Sequence, residues 1–362
     1  MKLKFVTGTC VLFASTICHA QSTSVQVYGR MNAAIEDFHD SSDAKSQNST
    51  VYRVSNNRSV LGFKGDEDLG GGLQAIFQIE GAVSLDTGGG GIATRDTRVG
   101  LKGSRGTLFA GNWTTPYNSA TSSLDPFYPT TAGYMSIMGN GSASTADNIS
   151  DTSSFDRRQQ NSLHYWTPEW RGFSAQVAHG FNEGVVAAGA KPSLTSAALI
   201  YESGPYYVTL AQELHHEYLG PGLKDVGTKI AVAYKFGDSR ISAIAEKLRY
   251  ETLSGALERK SYYLSATHQI GRHVLRFGLA LAGDVTGAST QKIGFMKKGK
   301  DTGAMHATLG YDYNFSRRTS IFVYYTYLRN EKNGIYDLAI NSLGVTPGAT
   351  IQGAALGMRH SF

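Results

Sequence analysis

From Val25 onward the chain alternates by single residues. Val25, Val27, Met31, Ala33 and Ile35 point one way, while Gln26, Tyr28, Arg30, Asn32 and Glu36 point the other. A period of two held over about ten residues describes a strand with one apolar and one polar face. Similar segments follow at Arg58–Gly65, Leu73–Leu85, Arg95–Lys102 and Thr107–Thr114. After a long interval they return at Gln160–Thr167, Phe173–Phe181, Leu194–Glu202, Tyr206–His216 and Gly227–Phe236. The last six are Arg240–Tyr250, Lys260–Ile270, His273–Val285, Ala304–Phe315, Thr319–Arg329 and Ile351–Phe362. Some alternate cleanly, such as Ile230, Val232, Tyr234 and Phe236 against Lys229, Ala231, Ala233 and Lys235. Others, such as Ile241–Leu248, do not.

The connections add an independent constraint. The first, third and fifteenth are long, whereas the second, fourth, eighth, tenth, twelfth and fourteenth are turns carrying Gly-Asp, Gly-Arg, Gly-Ser-Arg-Gly or Ser-Gly-Pro. An even number of strands, about sixteen, with loops at one end and tight turns at the other is the pattern of an outer-membrane barrel. A soluble sandwich does not need that asymmetry. The predicted fold is therefore all-β, a transmembrane antiparallel β-barrel formed as a single domain over residues 21–362. Aromatic residues near strand ends (Tyr311, Tyr313 and Phe315; Tyr324, Tyr325 and Tyr327; Trp166 and Trp170) fit girdles at the two membrane interfaces.

The N-terminus supplies the route. Lys2 and Lys4 precede an apolar run, Cys10 to Ile17, that ends in Cys18-His19-Ala20. This is a secretory signal peptide over residues 1–20, too short to span a bilayer as a helix. Both cysteines lie in it, so the mature chain carries no disulfide. Its loss lowers the formal charge from +5 to +3, too mild and too scattered to imply a nucleic-acid partner. With mean hydropathy −0.23, no later segment reaches the apolar length of a membrane helix.

The long interval, Pro116 to Gln159, is the exception to the strand pattern. It carries Asp125, Asp147, Asp151 and Asp156 and no cation until Arg157 and Arg158. Leu124, Phe127, Tyr128, Tyr134, Met135, Ile137 and Met138 give it apolar anchors that a solvated linker lacks. It reads as a loop folded into the barrel lumen, narrowing it.

Together these features resemble the general diffusion porins of Gram-negative bacteria, in particular the beta-proteobacterial type. The resemblance spans residues 21–362. It is carried by Val27-Tyr28-Gly29, the glycine-rich run from Leu61 to Leu73, and Arg95-Asp96-Thr97-Arg98-Val99-Gly100-Leu101. Leu124-Asp125-Pro126-Phe127, Asn161-Ser162-Leu163-His164-Tyr165 and the terminal Gly357-Met358-Arg359-His360-Ser361-Phe362 add to it. It implies a homotrimer of sixteen-stranded barrels in the outer membrane, in contact with its lipid and lipopolysaccharide. It also implies an inward third loop and a terminal Phe362 that the barrel-assembly machinery reads.

In such a channel function is selection of solutes, not bond-making. Acids on one wall and bases on the other create a transverse field that favours small hydrophilic solutes and ions. The acidic side is expected on the loop, from Asp125, Asp147 and Asp151. The basic side is expected from strand positions facing the lumen. Parity assigns Arg30, Arg58 and Lys64 there, if Val27, Met31, Leu61 and Phe63 face lipid. The family places a pore arginine where this chain has Val60, so Arg58 is expected to stand in for it. Arg95 and Arg158 match the family's next two pore arginines. Arg98 has the opposite parity to Arg95, which puts it at a subunit interface unless a bulge alters the register.

No catalytic constellation, cofactor site or metal site is expected. His215 and His216 are adjacent in a strand and point to opposite faces. Gly70-Gly71-Gly72 and Gly88–Gly91 lack the strand-to-helix setting of a phosphate loop. The sequence thus predicts a passive outer-membrane channel with weak anion preference. The alternatives are a substrate-specific channel of the same architecture or a barrel serving mainly as adhesin or envelope anchor.

Overall fold

The computed structural model describes residues 23–41, 50–146, 148, 152–182 and 189–362. The expected leader, residues 1–20, lies outside the described residues. Sixteen barrel strands follow in order. They begin with β1 (Thr23–Asp40), β2 (Thr50–Asn56 continued by Ser59–Gly70), β3 (Leu73–Val83), β4 (Thr97–Gly103) and β5 (Gly106–Thr114). Next come β6 (Arg157–Trp166), β7 (Phe173–Gly180), β8 (Ser193–Ser203), β9 (Tyr206–His216) and β10 (Lys224–Phe236). The set ends with β11 (Ser239–Thr252), β12 (Gly255–Ile270), β13 (His273–Ala282), β14 (Ala304–Asn314), β15 (Thr319–Asn330) and β16 (Thr350–Ser361).

Each strand pairs antiparallel with the next, and β16 returns to β1 in a register running from Arg30↔Ser361 to Asp40↔Ile351. The ring is closed. Closure matters because hydrocarbon offers no partner for the N–H and C=O groups of an open edge. The backbone of Phe362 completes the seam by exchanging two hydrogen bonds with Gly29, each 3.1 Å.

The alternation read from the sequence is the inside–outside pattern of the wall. Val25, Val27 and Ile35 are exposed on the outer face, while Asn32, Glu36 and Phe38, of the opposite parity, are buried inside. The outer face is the lipid face, so its apolar residues need no protein partner. Two of the expected girdle aromatics depart from this. Tyr324 is buried inside and donates to Glu36 Oε1 at 3.2 Å, and Trp166 packs on Arg98.

β2 is longer than its sequence pattern indicated, because Thr50–Asn56 also pairs with β1. The two halves are separated by Asn57 and Arg58, with Arg58 in the left-handed region at φ 54°. This bulge leaves Arg58 outside the ladder. The turn after β2 uses Gly70, Gly71 and Gly72 at φ 84°, 62° and 78°, a path that side chains resist. That is the physical use of the glycine run.

Candidate functional site: the loop-narrowed lumen

The described residues between 115 and 156 enter the barrel and pack mainly against one side of its wall. The segment starts as a short helix, α1 (Pro116–Ser122), with Thr115 as N-cap and proline in the first turn. Its apolar residues find matching space on the wall. Leu124, Phe127, Tyr134, Met135, Ile137 and Met138 join one buried cluster with Ala231, Ala280, Ala304 and Ala355, among others. Tyr117, Ala120 and Phe155 join a second with Ala198, Ala211 and Leu248. Inward alanines leave the volume the loop fills. At Gly310 the argument is sharpest, because a Cβ there would lie 2.6 Å from the Phe127 ring.

Polar anchors fix the same side. Ser265 and Ser242 donate to the Leu124 carbonyl at 2.7 and 3.3 Å, and Arg276 donates to the Pro126 carbonyl. Deeper along the loop, Lys229 lies 2.6 Å from Asp156 and 3.7 Å from Glu246. Glu246 also accepts from Gly139 N at 3.0 Å and Tyr117 Oη at 2.9 Å. Arg259 donates to the Ile137 carbonyl at 2.6 Å. Lys229, Glu246 and Arg259 are buried inward residues of β10, β11 and β12. A buried charge persists only when paired and hydrogen-bonded, and here the loop itself completes the pairing.

The opposite wall is basic. Arg30 of β1 donates to the Arg58 carbonyl at 3.0 Å, and Arg58 reaches from its bulge to Ser142 of the loop. Arg95 pairs with Glu80 at 2.9 Å, and Arg158 of β6 pairs with Asp96 at 2.6 Å. The four arginines sense one another: Arg30 feels Arg95, and Arg58 feels both Arg95 and Arg158. Burial alone would raise the Asp96 carboxyl. Arg158 and the Thr114 hydrogen bonds outweigh it and hold the group below the usual carboxylate range. Two carboxylates thus face four guanidiniums. Among the described residues, no carboxylate forms an ion pair with Arg30 or Arg58.

The expected acidic side looks different in three dimensions. Asp125 is on the loop, but only 4% exposed, and its oxygens accept from Phe127 N at 3.0 Å, Tyr134 N at 2.8 Å and Tyr263 Oη at 2.8 Å. It ties the loop to itself and to β12 instead of turning a carboxylate toward the arginines. Asp147 and Asp151 lie outside the described residues. Asp156 turns to Lys229. Lys64 is inward but exposed, with its ammonium 5.2 Å from the Tyr28 ring centre. It lies toward the short-turn end of β2, away from the loop. Val60 is buried, and Arg58 comes inward by the bulge.

Arg98 faces the lumen. Residues 94–96 bend before β4 begins, so strand parity starts only at Thr97. Val99 and Leu101 then take the outer positions. Sequence reasoning missed the inward pair Arg276 and Arg359, which share Asp312 at 2.5 and 3.0 Å. Their parity was available, since Leu275 and Met358 beside them are outward. It missed Glu80, Lys229, Glu246 and Arg259 as well, because nothing local marks which inward charges a distant loop will meet. Among the described residues there is no cluster of metal-ligating side chains.

Three comparisons place this arrangement among known proteins. Outer membrane porin protein 32 of Delftia acidovorans is 27% identical over 370 residues, covering 99% of both chains. An anion-selective porin from Comamonas acidovorans superposes with a TM-score of 0.79 at 24% identity, over 94% of this chain and 100% of that one. OmpT of Vibrio cholerae, solved in a trimer form, gives 0.67 at 14% identity over 94% and 100%. The sequence pattern of the Gram-negative porins matches residues 7–333. Closed barrel, inward loop and family match agree: the chain belongs to the Gram-negative porins, passive channels of the outer membrane.

Proposed function

We infer that this channel passes small hydrophilic solutes with a preference for anions, and that Arg30, Arg58, Arg95 and Arg158 set the preference. One observation carries the reading. Four guanidiniums gather on the wall around β1, β2 and β6, one of them reaching the loop at Ser142, and among the described residues they form ion pairs with Glu80 and Asp96 alone. A narrow aqueous passage with low-dielectric walls concentrates the field of such a cluster and enriches the counter-ion. Lys64 extends the positive lining away from the loop, and Arg276 and Arg359, which share Asp312, extend it beside the loop at Pro126. The anion-selective name of a solved relative agrees with this assignment.

The test is the zero-current potential of the purified protein in planar bilayers across a KCl gradient. The expected sign is that of chloride preference; a potential of cation sign overturns the reading. Stepwise closure in threes in the same traces is the expected record of a homotrimer. That assembly is supported by the trimer form of a structural relative. Phe362, with its ring over Gly29 on the outer side of the seam, is assigned to recognition by the assembly machinery. We assign the chain no catalytic step.

A further inference from the structure

Arg98 has an environment that the constriction formed by the loop and the four arginines (the eyelet) does not explain. Its guanidinium carbon lies 4.2 Å from the Trp113 ring centre, 4.7 Å from Phe109 and 5.2 Å from Trp166. These are inward residues, since Val99, Leu101, Leu108 and Tyr165 occupy the outward positions of the same strands. Phe109 in turn stacks on His164, with centroids 4.8 Å apart and planes 8° from parallel. Gly100 makes room for this stack, because a Cβ there would lie 2.4 Å from Phe109.

The rings satisfy the face of the guanidinium but not its edge. Nε and NH1 are buried without an acceptor, and no ion pair involves Arg98 among the described residues. Nearby Asp96 is occupied by Arg158 and Thr114. A buried donor left without an acceptor is costly, and natural proteins keep few of them. The remaining nitrogen, NH2, is the edge left for an acceptor from the lumen. Phe109 and Trp113 are buried, whereas Trp166, packed on the same guanidinium, is half-buried and keeps part of its indole accessible. Arg98 sits two residues beyond Asp96, inside the strand that runs toward the short-turn end of the wall.

We propose that Arg98 and the Trp166 face form a second anion subsite, distinct from the eyelet, selective for carboxylates that carry a flat aromatic body. The carboxylate accepts from the open edge of Arg98, and the ring stacks on Trp166. The charge alone would hold any small anion. The indole adds discrimination that only a solute with a π face can use. This proposal rests on the chain being an open channel, and the test separates the two.

Single-channel currents in KCl at neutral pH are recorded with benzoate, acetate or benzyl alcohol added on the short-turn side. For the unaltered protein, benzoate is expected to block at a half-blocking concentration about fivefold or more below that of acetate. Benzyl alcohol, which has the ring without the charge, is expected not to block. In Trp166→Leu the benzoate-to-acetate ratio falls to near one. In Arg98→Gln benzoate block is lost. If Arg98→Gln does not insert as a folded barrel, Trp166→Leu and Trp166→Phe decide, since phenylalanine should restore most of the ratio. An open channel in which benzoate and acetate block alike overturns the subsite and leaves the channel reading standing. A benzoate block that survives both Arg98→Gln and Trp166→Leu places binding at the eyelet and also overturns it. A protein with no conductance at all overturns the channel reading first.

Discussion

Asp125 shows how a charged residue in a pore loop can be spent on architecture. Burial pushes its carboxyl up to about 6, against the opposing pull of the Tyr134 and Phe127 N–H groups and the Tyr263 hydroxyl. The group binds its proton more tightly folded than unfolded, where an aspartate titrates near 3.9. Its contribution is therefore greatest below about pH 4 and declines as pH rises toward 6, by at most about 3 kcal/mol. Asp125→Asn should abolish that slope: followed by circular dichroism from pH 4 to 7.5, the parent's melting midpoint should rise relative to the variant's as pH falls. A constant difference across the range would show that Asp125 does not titrate there. Asp125→Ala removes the acceptor for three donors and should cost about 2–3 kcal/mol at neutral pH.

At the scale of elements, the inward loop and the wall strands β8 to β16 are complementary in shape and charge. The loop's large side chains meet alanines and glycines, and its Asp156 and backbone complete the surroundings of Lys229, Glu246 and Arg259. Lys229→Met strands Asp156 in a buried site and should loosen the loop by about 3–5 kcal/mol while the barrel ladder stays paired. Noisier single-channel traces with larger mean conductance are the expected result. Quiet traces of unchanged step size would show that Lys229 does not hold the loop. Deleting residues 124–141 should widen the pore further without unfolding the barrel, because the strand ladder makes no use of them. An unchanged conductance would count against the loop as the constriction.

At the scale of the molecule, selectivity is a property of the sum of charges around the lumen. Arg30 and Arg58 are the two eyelet guanidiniums outside the Glu80 and Asp96 pairs. Replacing both with glutamine should lower the chloride-to-potassium permeability ratio by a factor of roughly 2–5. The change should shrink as ionic strength rises, since screening shortens the reach of the remaining charges. The reversal potential across a series of KCl gradients measures both effects. A ratio that does not move would shift the selectivity to Arg95, Arg158 or the Arg276–Arg359 pair.

The sequence by itself determined the barrel. Alternation of apolar and polar residues, clean in some segments and broken in others such as Ile241–Leu248, and the asymmetry of connections are local properties, and about sixteen strands emerged from them together. It also marked Pro116–Gln159 as the one segment that could not be wall, and by parity put Arg30 and Lys64 inside. The tertiary structure decided what those residues meet. Whether Asp125 presents a charge or caps a turn depends on Tyr134 and on Tyr263 of β12, the latter 138 positions away. Arg98 faces the lumen only because the backbone bends over residues 94–96, which resets the parity that strand counting assumes. Parity also put Arg58 inside, but the bulge that takes it out of the ladder, with φ 54°, is not announced by any single-residue pattern. Periodicity reports the face a side chain takes, whereas its partner is set by closure of a ring that brings distant strands around one loop.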